Sequence, residues 1–377
     1  MSRIAICGTG FIGTGLALAL ERHPRMTVSQ VYTRRPVDQV EHPLPHVLTH
    51  DRDVLLAGCD LLVECSGDVL LASEIIAAAH GRGIPVVTMN SEFHVTVGSA
   101  FVETGYLTEA EGDQPGSLAA LNEKVTAMGF RPVVFGNIKG FLNPLPSRED
   151  MVFWSEKQGI SLPQVTAFTD GTKIQIEQAL VANGLGANLL RSGMMGPDSP
   201  DLEAAAKQLA VLAEEHDAGP VSDYVLNAGG PAGVFVVARH DAEQQRFLKY
   251  LKLGEGPYYF LLQPFHLCHL EMVGTIEAVL NGRQPLLNNG RKPSVGVCAI
   301  AKADMEAGDI VTRALGSFAF RGETLPFEQH RDYVPIGLLQ DCQLIDTIRE
   351  GDRVRWDQIA LPDSLALRRF NTLLEEL

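Results

Sequence analysis

Short apolar runs alternate with longer amphipathic ones along the first 135 residues. Arg3 to Cys7 is a brief β-like run, Phe11 to Glu21 an amphipathic stretch, and TVSQVYT, ending at Thr33, a second strand. CDLLVEC then reads as a buried strand, LLASEIIAAAHGRG as a helix closing on glycine, and IPVVTMN as another strand. The later strands are continuous apolar runs without alternation, as expected of parallel strands covered on both faces. The pattern predicts an α/β fold with a Rossmann-type, doubly wound parallel sheet.

Past residue 105 the pattern predicts a strand, a helix from about Gly116 to Met128, and a strand from Pro132 to Asn137. That strand leads to Lys139, Gly140 and Asn143, a loop context among glycines. VTAFTDGTKIQIEQ carries Asp-Gly between two alternating runs, a hairpin signal. On that reading Lys173, Gln175 and Glu177 share one strand face, with Lys173 and Glu177 roughly 13 Å apart. Three domains are expected: 1–135, 136–290 and 291–377.

Composition narrows the function classes. The 377 residues are 45% hydrophobic with a net charge of −15, which opposes a nucleic-acid partner because phosphate binding needs a basic face. No run of eighteen apolar residues suggests a membrane span. The opening MSRIAICGTG goes straight into a strand, so no signal peptide is expected. Six cysteines without paired spacing fit free thiols and a cytoplasmic location.

The chemistry starts at GTGFIG. Gly8 permits a tight turn, Gly10 lets the backbone approach a pyrophosphate, and Gly13 lets helix pack on strand. Phe11 and Ile12 open the helix, whose N-terminal N–H groups and dipole favour phosphate. The place where an NAD-binding fold puts a carboxylate reads Thr33-Arg34-Arg35. Guanidinium groups form bidentate bonds with phosphate, so NADP(H) is the expected cofactor. Ser66, Gly67, Asn90 and Glu92 end later strands and are expected near the nicotinamide; Glu92 fits a helix-start carboxylate equally well.

Candidate catalytic residues follow. Lys139 suits the proton or positive charge that an alkoxide needs after hydride delivery, or a substrate phosphate. Lys173 and Glu177 suit the floor of a polar cleft. Asp113 is a helix N-cap or a functional carboxylate; Asp170 is a turn residue or a catalytic one. In QPFHLCHLE, His266 is a substrate contact or a packing residue. His266 and His269 three apart, with Glu271 near, tempt a metal reading, but no second ligand cluster supports it, and a zinc site takes three or four protein ligands.

The ordered motifs GTGFIG, GDQPGSLAALNE, GNIKGFLNPL, TDGTKIQIEQALVAN, GGPAGVFVVA and GEGPYYFLLQPFHL resemble homoserine-dehydrogenase-like oxidoreductases that end in a SAF domain, and among them the reductoisomerase-like group. VCAIAKADMEAGDIVT and DTIREGDRVRWDQI look like the two halves of that SAF domain, each a β-run, a charged turn and a β-run. The resemblance implies a Rossmann domain, a catalytic and dimerising α/β domain, and NADPH-dependent reduction of a small polar carbonyl, a sugar phosphate above all. It further implies a homo-oligomer and a possible divalent cation. Lys139, Asn143, Asp170, Lys173, Glu177, Asn183 and His266 match as residue types. Asn90 is followed by Ser91 where homoserine dehydrogenases carry lysine, which counts against homoserine. Gln114 follows Asp113 where the reductoisomerase-like pattern has glutamate. A dehydrogenase of amino-acid or hydroxy-acid intermediates, and a non-catalytic NADP-binding sensor, are the rival expectations.

Overall fold

Six parallel strands form the first sheet in a computed structural model that describes residues 1–377. They are β1 (Ser2–Cys7), β2 (Met26–Tyr32), β3 (Leu48–Thr49), β4 (Leu61–Glu64), β5 (Val86–Thr88) and β6 (Leu107–Glu109). Their order, β3-β2-β1-β4-β5-β6, is that of a doubly wound dinucleotide fold, with the crevice where the order reverses beside β1. The Phe11–Glu21 and Val69–His80 helices lie where the amphipathic runs predict them. Ile4, Ile6, Leu61 and Val63 pack with Leu16 and Leu20 into one core, closed by Met272 and Ile276 of the later His269–Leu280 helix.

The chain divides into two compact units, each built from separated stretches. The first comprises 1–116, 266–292 and 363–377; the second comprises 117–265 and 293–362. The C-terminal helix Leu365–Glu376 therefore packs within the first unit.

The second unit carries a mixed sheet of β7 (Arg131–Lys139), β8 (Val221–Leu226), β9 (Val234–Arg239) and β10 (Tyr259–Gln263), ordered β10-β9-β7-β8. It also carries antiparallel pairs among β11 (Val295–Ala301), β12 (Ile310–Arg313), β13 (Phe320–Pro326), β14 (Gln340–Leu344) and β15 (Ile359–Ala360). The VCAIAKADMEAGDIVT segment makes the two β-runs expected of it. DTIREGDRVRWDQI instead turns at Gly351 (φ +87°) and contributes isolated bridges, from Ile348, Arg353 and Arg355, and the first residue of β15.

One expectation fails outright. The Asp170-Gly171 dipeptide joins two helices, Leu162–Thr169 and Thr172–Leu185, and makes no hairpin. Gly171 takes φ +86° at the start of the second helix, a conformation glycine reaches without strain. The Thr172–Leu185 helix is buried on nearly every side, so it lacks the one-sided stripe that marks a surface helix. Its polar positions imitate strand alternation because their side chains bond to neighbouring strands. Gln175 Oε1 accepts from Thr324 of β13, and Gln178 Nε2 donates to the carbonyls of Phe135 in β7 and Asp223 in β8. No helix of the protein is long and apolar enough to cross a membrane.

Candidate active site

The glycine turn is set by close contacts. A Cβ on Gly13 would lie 2.1 Å from the Gly8 carbonyl oxygen, and one on Gly8 (φ +128°) would lie 2.9 Å from the Cys65 carbonyl oxygen. A Cβ on Gly10 would meet nothing within 4 Å. Gly10 is the N-cap of the Phe11–Glu21 helix, and no side chain caps that end. The backbone N–H groups of the first turn are thus presented to an open approach, which fits a pyrophosphate. Ile12 packs against the core, while Phe11 is exposed and meets the His269 ring edge-on at 5.9 Å.

Thr33 follows β2, is buried, and accepts from the Arg35 N–H on its hydroxyl at 3.2 Å. The two arginines differ. Arg34 pairs with the buried carboxylate of Asp68 at 2.8 Å, whereas the Arg35 guanidinium donates to the Thr9 hydroxyl inside the glycine turn at 3.2 Å. Arg35 is therefore the cation beside the phosphate-facing turn.

Beneath the strand ends lies a carboxylate that the sequence did not single out. Glu64, fully buried at the end of β4, accepts from the Ser66 N–H (2.9 Å) and hydroxyl (2.5 Å). It also accepts from Thr88 (3.3 Å) and from the Asn90 amide at 2.9 Å. Burial pushes its pKa up while these donors pull it down. Asn90 also caps the Ser91–Val97 helix through the Phe93 N–H. Ser66 and Asn90 thus come together, joined through Glu64; Gly67 stands between Ser66 and Asp68 with φ +65°. Glu92 lies half-buried in the first turn of the Ser91–Val97 helix.

Asp113 and His266 come together in the first unit, at a loop clasp. The His266 ring lies 3.2 Å from the Gly112 carbonyl, which also accepts from the Cys268 N–H at 3.0 Å. Gly112 (φ +109°) allows this approach, since a Cβ there would lie 2.2 Å from the Cys268 carbonyl oxygen. Asp113 is buried just before the Gln114–Ala127 helix. The His269 ring packs by Gly15 and Phe11.

The second unit gathers the remaining candidates. Lys139 is the last residue of β7, not a loop residue, and its ammonium lies over the Phe168 ring at 5.2 Å. Burial lowers its pKa from the ordinary lysine value; Lys173 lowers it too, while Glu177 and Asp170 oppose the shift. Lys173 and Glu177 sit one helical turn apart, with the ammonium 3.8 Å from the carboxylate. The strand-based separation is thereby corrected, because helical i,i+4 positions are neighbours. Glu177 also accepts from the Asn137 amide at 3.2 Å. Asp170 accepts the Thr172 N–H at 2.9 Å and pairs with the buried Lys302 ammonium at 2.8 Å. Asp170 is thus a turn residue and a counter-ion at once. Lys302 and Asn137 were missed: Lys302 follows β11, 132 residues from Asp170, and no local spacing links them. Asn143 lies beyond β7 and Asn183 binds the backbone of Ser294 and Val295.

These donors do not suit a resident divalent cation. Asp170 is neutralised by Lys302, Glu177 is engaged by Lys173 and Asn137, and no group of three or more His, Cys, Asp or Glu side chains converges.

Comparison with known proteins adds the class. Residues 8–99 match the family model of the homoserine dehydrogenase NAD-binding domain, and residues 112–272 match that of the oxidoreductase DRL catalytic domain. The chain is an oxidoreductase with a nucleotide-binding domain of the homoserine dehydrogenase type, and a pyridine nucleotide is its cofactor. Among solved structures it is similar to a putative homoserine dehydrogenase from Archaeoglobus fulgidus (15% identity, 74% of this chain and 99% of that one, TM-score 0.45). It is also similar to the homoserine dehydrogenase of S. aureus (11% identity, 86% and 92%, TM-score 0.42). A search of curated proteins finds no match.

Proposed function

We propose that the protein is a NADP(H)-dependent oxidoreductase that reduces a small polar carbonyl compound, with sugar phosphates as the substrate class. The observation that carries this reading is Lys139, an ammonium lowered in pKa by burial and by Lys173 at the end of β7. When bound, the nicotinamide supplies or accepts hydride. Reduction of a carbonyl leaves an alkoxide, and a lysine of lowered pKa releases its proton to that oxygen more readily than an ordinary one. Lys173, held by Glu177, offers the second positive charge that an anionic substrate needs. Asp170 keeps Lys302 neutralised and fixes the turn that presents Lys173. Asp113 and His266 are the first unit's candidates for substrate contact.

NADP(H) preference rests on Arg35 beside Thr9, with Arg34 placed by Asp68. Each charge-assisted bond to a 2′-phosphate is worth roughly 1.5–3 kcal/mol, about tenfold to a hundredfold in affinity. A SAF domain over 291–377, a homo-oligomer and a cytoplasmic location belong to the same reading. They are tested by the mass of the protein in solution and by its place in fractionated cells.

The decisive assay follows NADPH oxidation with phosphorylated ketoses and aldoses, beside their dephosphorylated forms. Phosphosugars should react at least tenfold more efficiently, and Lys139→Met should lower kcat strongly with cofactor affinity nearly unchanged. The homoserine dehydrogenase match over residues 8–99 favours a second reading, dehydrogenation of an amino-acid intermediate. Turnover of aspartate semialdehyde with every phosphosugar inert would establish that one.

A further inference from the structure

A cation-lined cavity lies in the second unit, apart from the lysine cluster. Its volume is about 500 Å³, and Arg321, Arg353 and Arg355 line it together with Glu323, Tyr333 and Gln358. The backbone dictates the gathering. Arg321 of β13 stands opposite Ile300 of β11, and Ile300 bridges on its other side to Arg353. Residues directly opposite in a ladder project to the same face, so Arg321 and Arg353 flank Ile300 on one face. Arg355, two residues along and bridged to Tyr333, extends the row. Gly322 and Thr324, the alternate positions of β13, face the Thr172–Leu185 helix instead. The arginine face is therefore the one turned away from the helix that carries Lys173 and Glu177.

The charges in this cavity do not balance. Glu323 is shared between two guanidiniums, at 2.7 Å from Arg353 and 3.6 Å from Arg321. Asp352 also lines the cavity as its second carboxylate, accepting from the Arg349 N–H at 3.3 Å. Arg355 meets Asp357 at 3.3 Å, an exposed pair that water screens strongly. Three guanidiniums against the Glu323 and Asp352 carboxylates leave the lining with one positive charge in excess, which favours an anion. A carboxylate is satisfied by one planar fork, whereas a tetrahedral phosphate offers acceptor oxygens to several. The Tyr333 hydroxyl and the Gln358 amide add neutral partners suited to hydroxyl groups.

We propose that this cavity is a binding site for a small phosphate monoester of a polyhydroxy compound, separate from the site of reduction. Isothermal titration of the full chain with inorganic phosphate, glycerol 1-phosphate and succinate tests it, in the wild type and in three variants. Glycerol 1-phosphate should bind more tightly than inorganic phosphate, and succinate at least tenfold more weakly than either. Arg353→Gln should weaken both phosphates tenfold or more, and so should Arg355→Gln, whose side chain is exposed. Lys139→Met should leave this binding unchanged, which separates the cavity from the proposed reduction site. Phosphate affinity that survives both arginine changes, succinate binding as tight as phosphate, or no phosphate binding to a folded protein would each overturn the proposal.

Discussion

The glycine turn and the lysine cluster are built by opposite means. Around Gly8, Gly10 and Gly13 the geometry is local, and six consecutive residues fix where the backbone closes and where it stays open. Around Lys139 it is long-range. Asn137 and Lys139 come from β7, Lys173 and Glu177 from a helix, and Lys302 from the residue just past β11. The turn depends on missing side chains and the cluster on charged ones, so each should fail in its own way when altered.

The largest failure is expected at Lys302. Its ammonium and the Asp170 carboxylate are both buried, so removing one leaves the other unpaired in a low-dielectric setting. Lys302→Met should cost about 3–5 kcal/mol of stability, the usual range when one member of a buried pair is deleted. Adding Asp170→Asn should restore much of the loss, which a double-mutant cycle in urea would measure. A double-variant loss equal to the sum of the two single losses would mean that the pair does not couple.

The turn should separate folding from binding. Gly13→Ala places a methyl group against the rigid Gly8 carbonyl, and overpacking of that kind costs about 1–3 kcal/mol. Gly10→Ala meets nothing and sits at φ −82°, so its stability should stay within about 0.5 kcal/mol of wild type. Its nucleotide affinity should nevertheless fall, because the methyl group occupies the approach of the pyrophosphate. A Gly10→Ala protein that binds NADPH normally would remove the turn from the cofactor site.

The same contrast explains what the sequence made legible. The strands and helices of the first 100 residues show themselves because apolar runs between glycine signals leave few alternatives. The glycine spacing then carries its own chemistry. Lys139 and Glu177 were legible as residue types but not as neighbours, since the Thr172–Leu185 segment alternates like a strand while folding as a helix. Its buried glutamines answer to strands 43 to 149 positions away, which no local window contains. Glu64 looked like one more residue of an apolar run. Only the meeting of Ser66, Thr88 and Asn90 around it reveals its work.

Acid should expose a difference that neither site predicts alone. His94 in the first unit and His330 in the second are fully buried, and burial lowers their pKa values to about 3 and about 4 from an ordinary 6.5. Both are therefore neutral in the folded protein at mild acidity; His94 lies 3.3 Å from Glu109, and His330 stacks on Phe327. The sign follows from proton counting. Above about pH 6.5 neither state binds a proton at these rings, so they add no pH dependence. Below it the unfolded chain binds protons that the folded chain refuses, and stability falls as pH drops towards the folded values. Each ring contributes a slope of up to about 1.4 kcal/mol per pH unit. Amide hydrogen exchange reads the units separately, through Leu107–Glu109 in the first and Val295–Ala301 in the second. Protection in both should decline between pH 6.5 and 4.5 once the intrinsic exchange rate is divided out. His94→Gln, which does not titrate, should flatten the decline in β6 and leave that of β11 as it was. An equal decline in β6 with and without His94 would show that other groups set the acid response of the first unit.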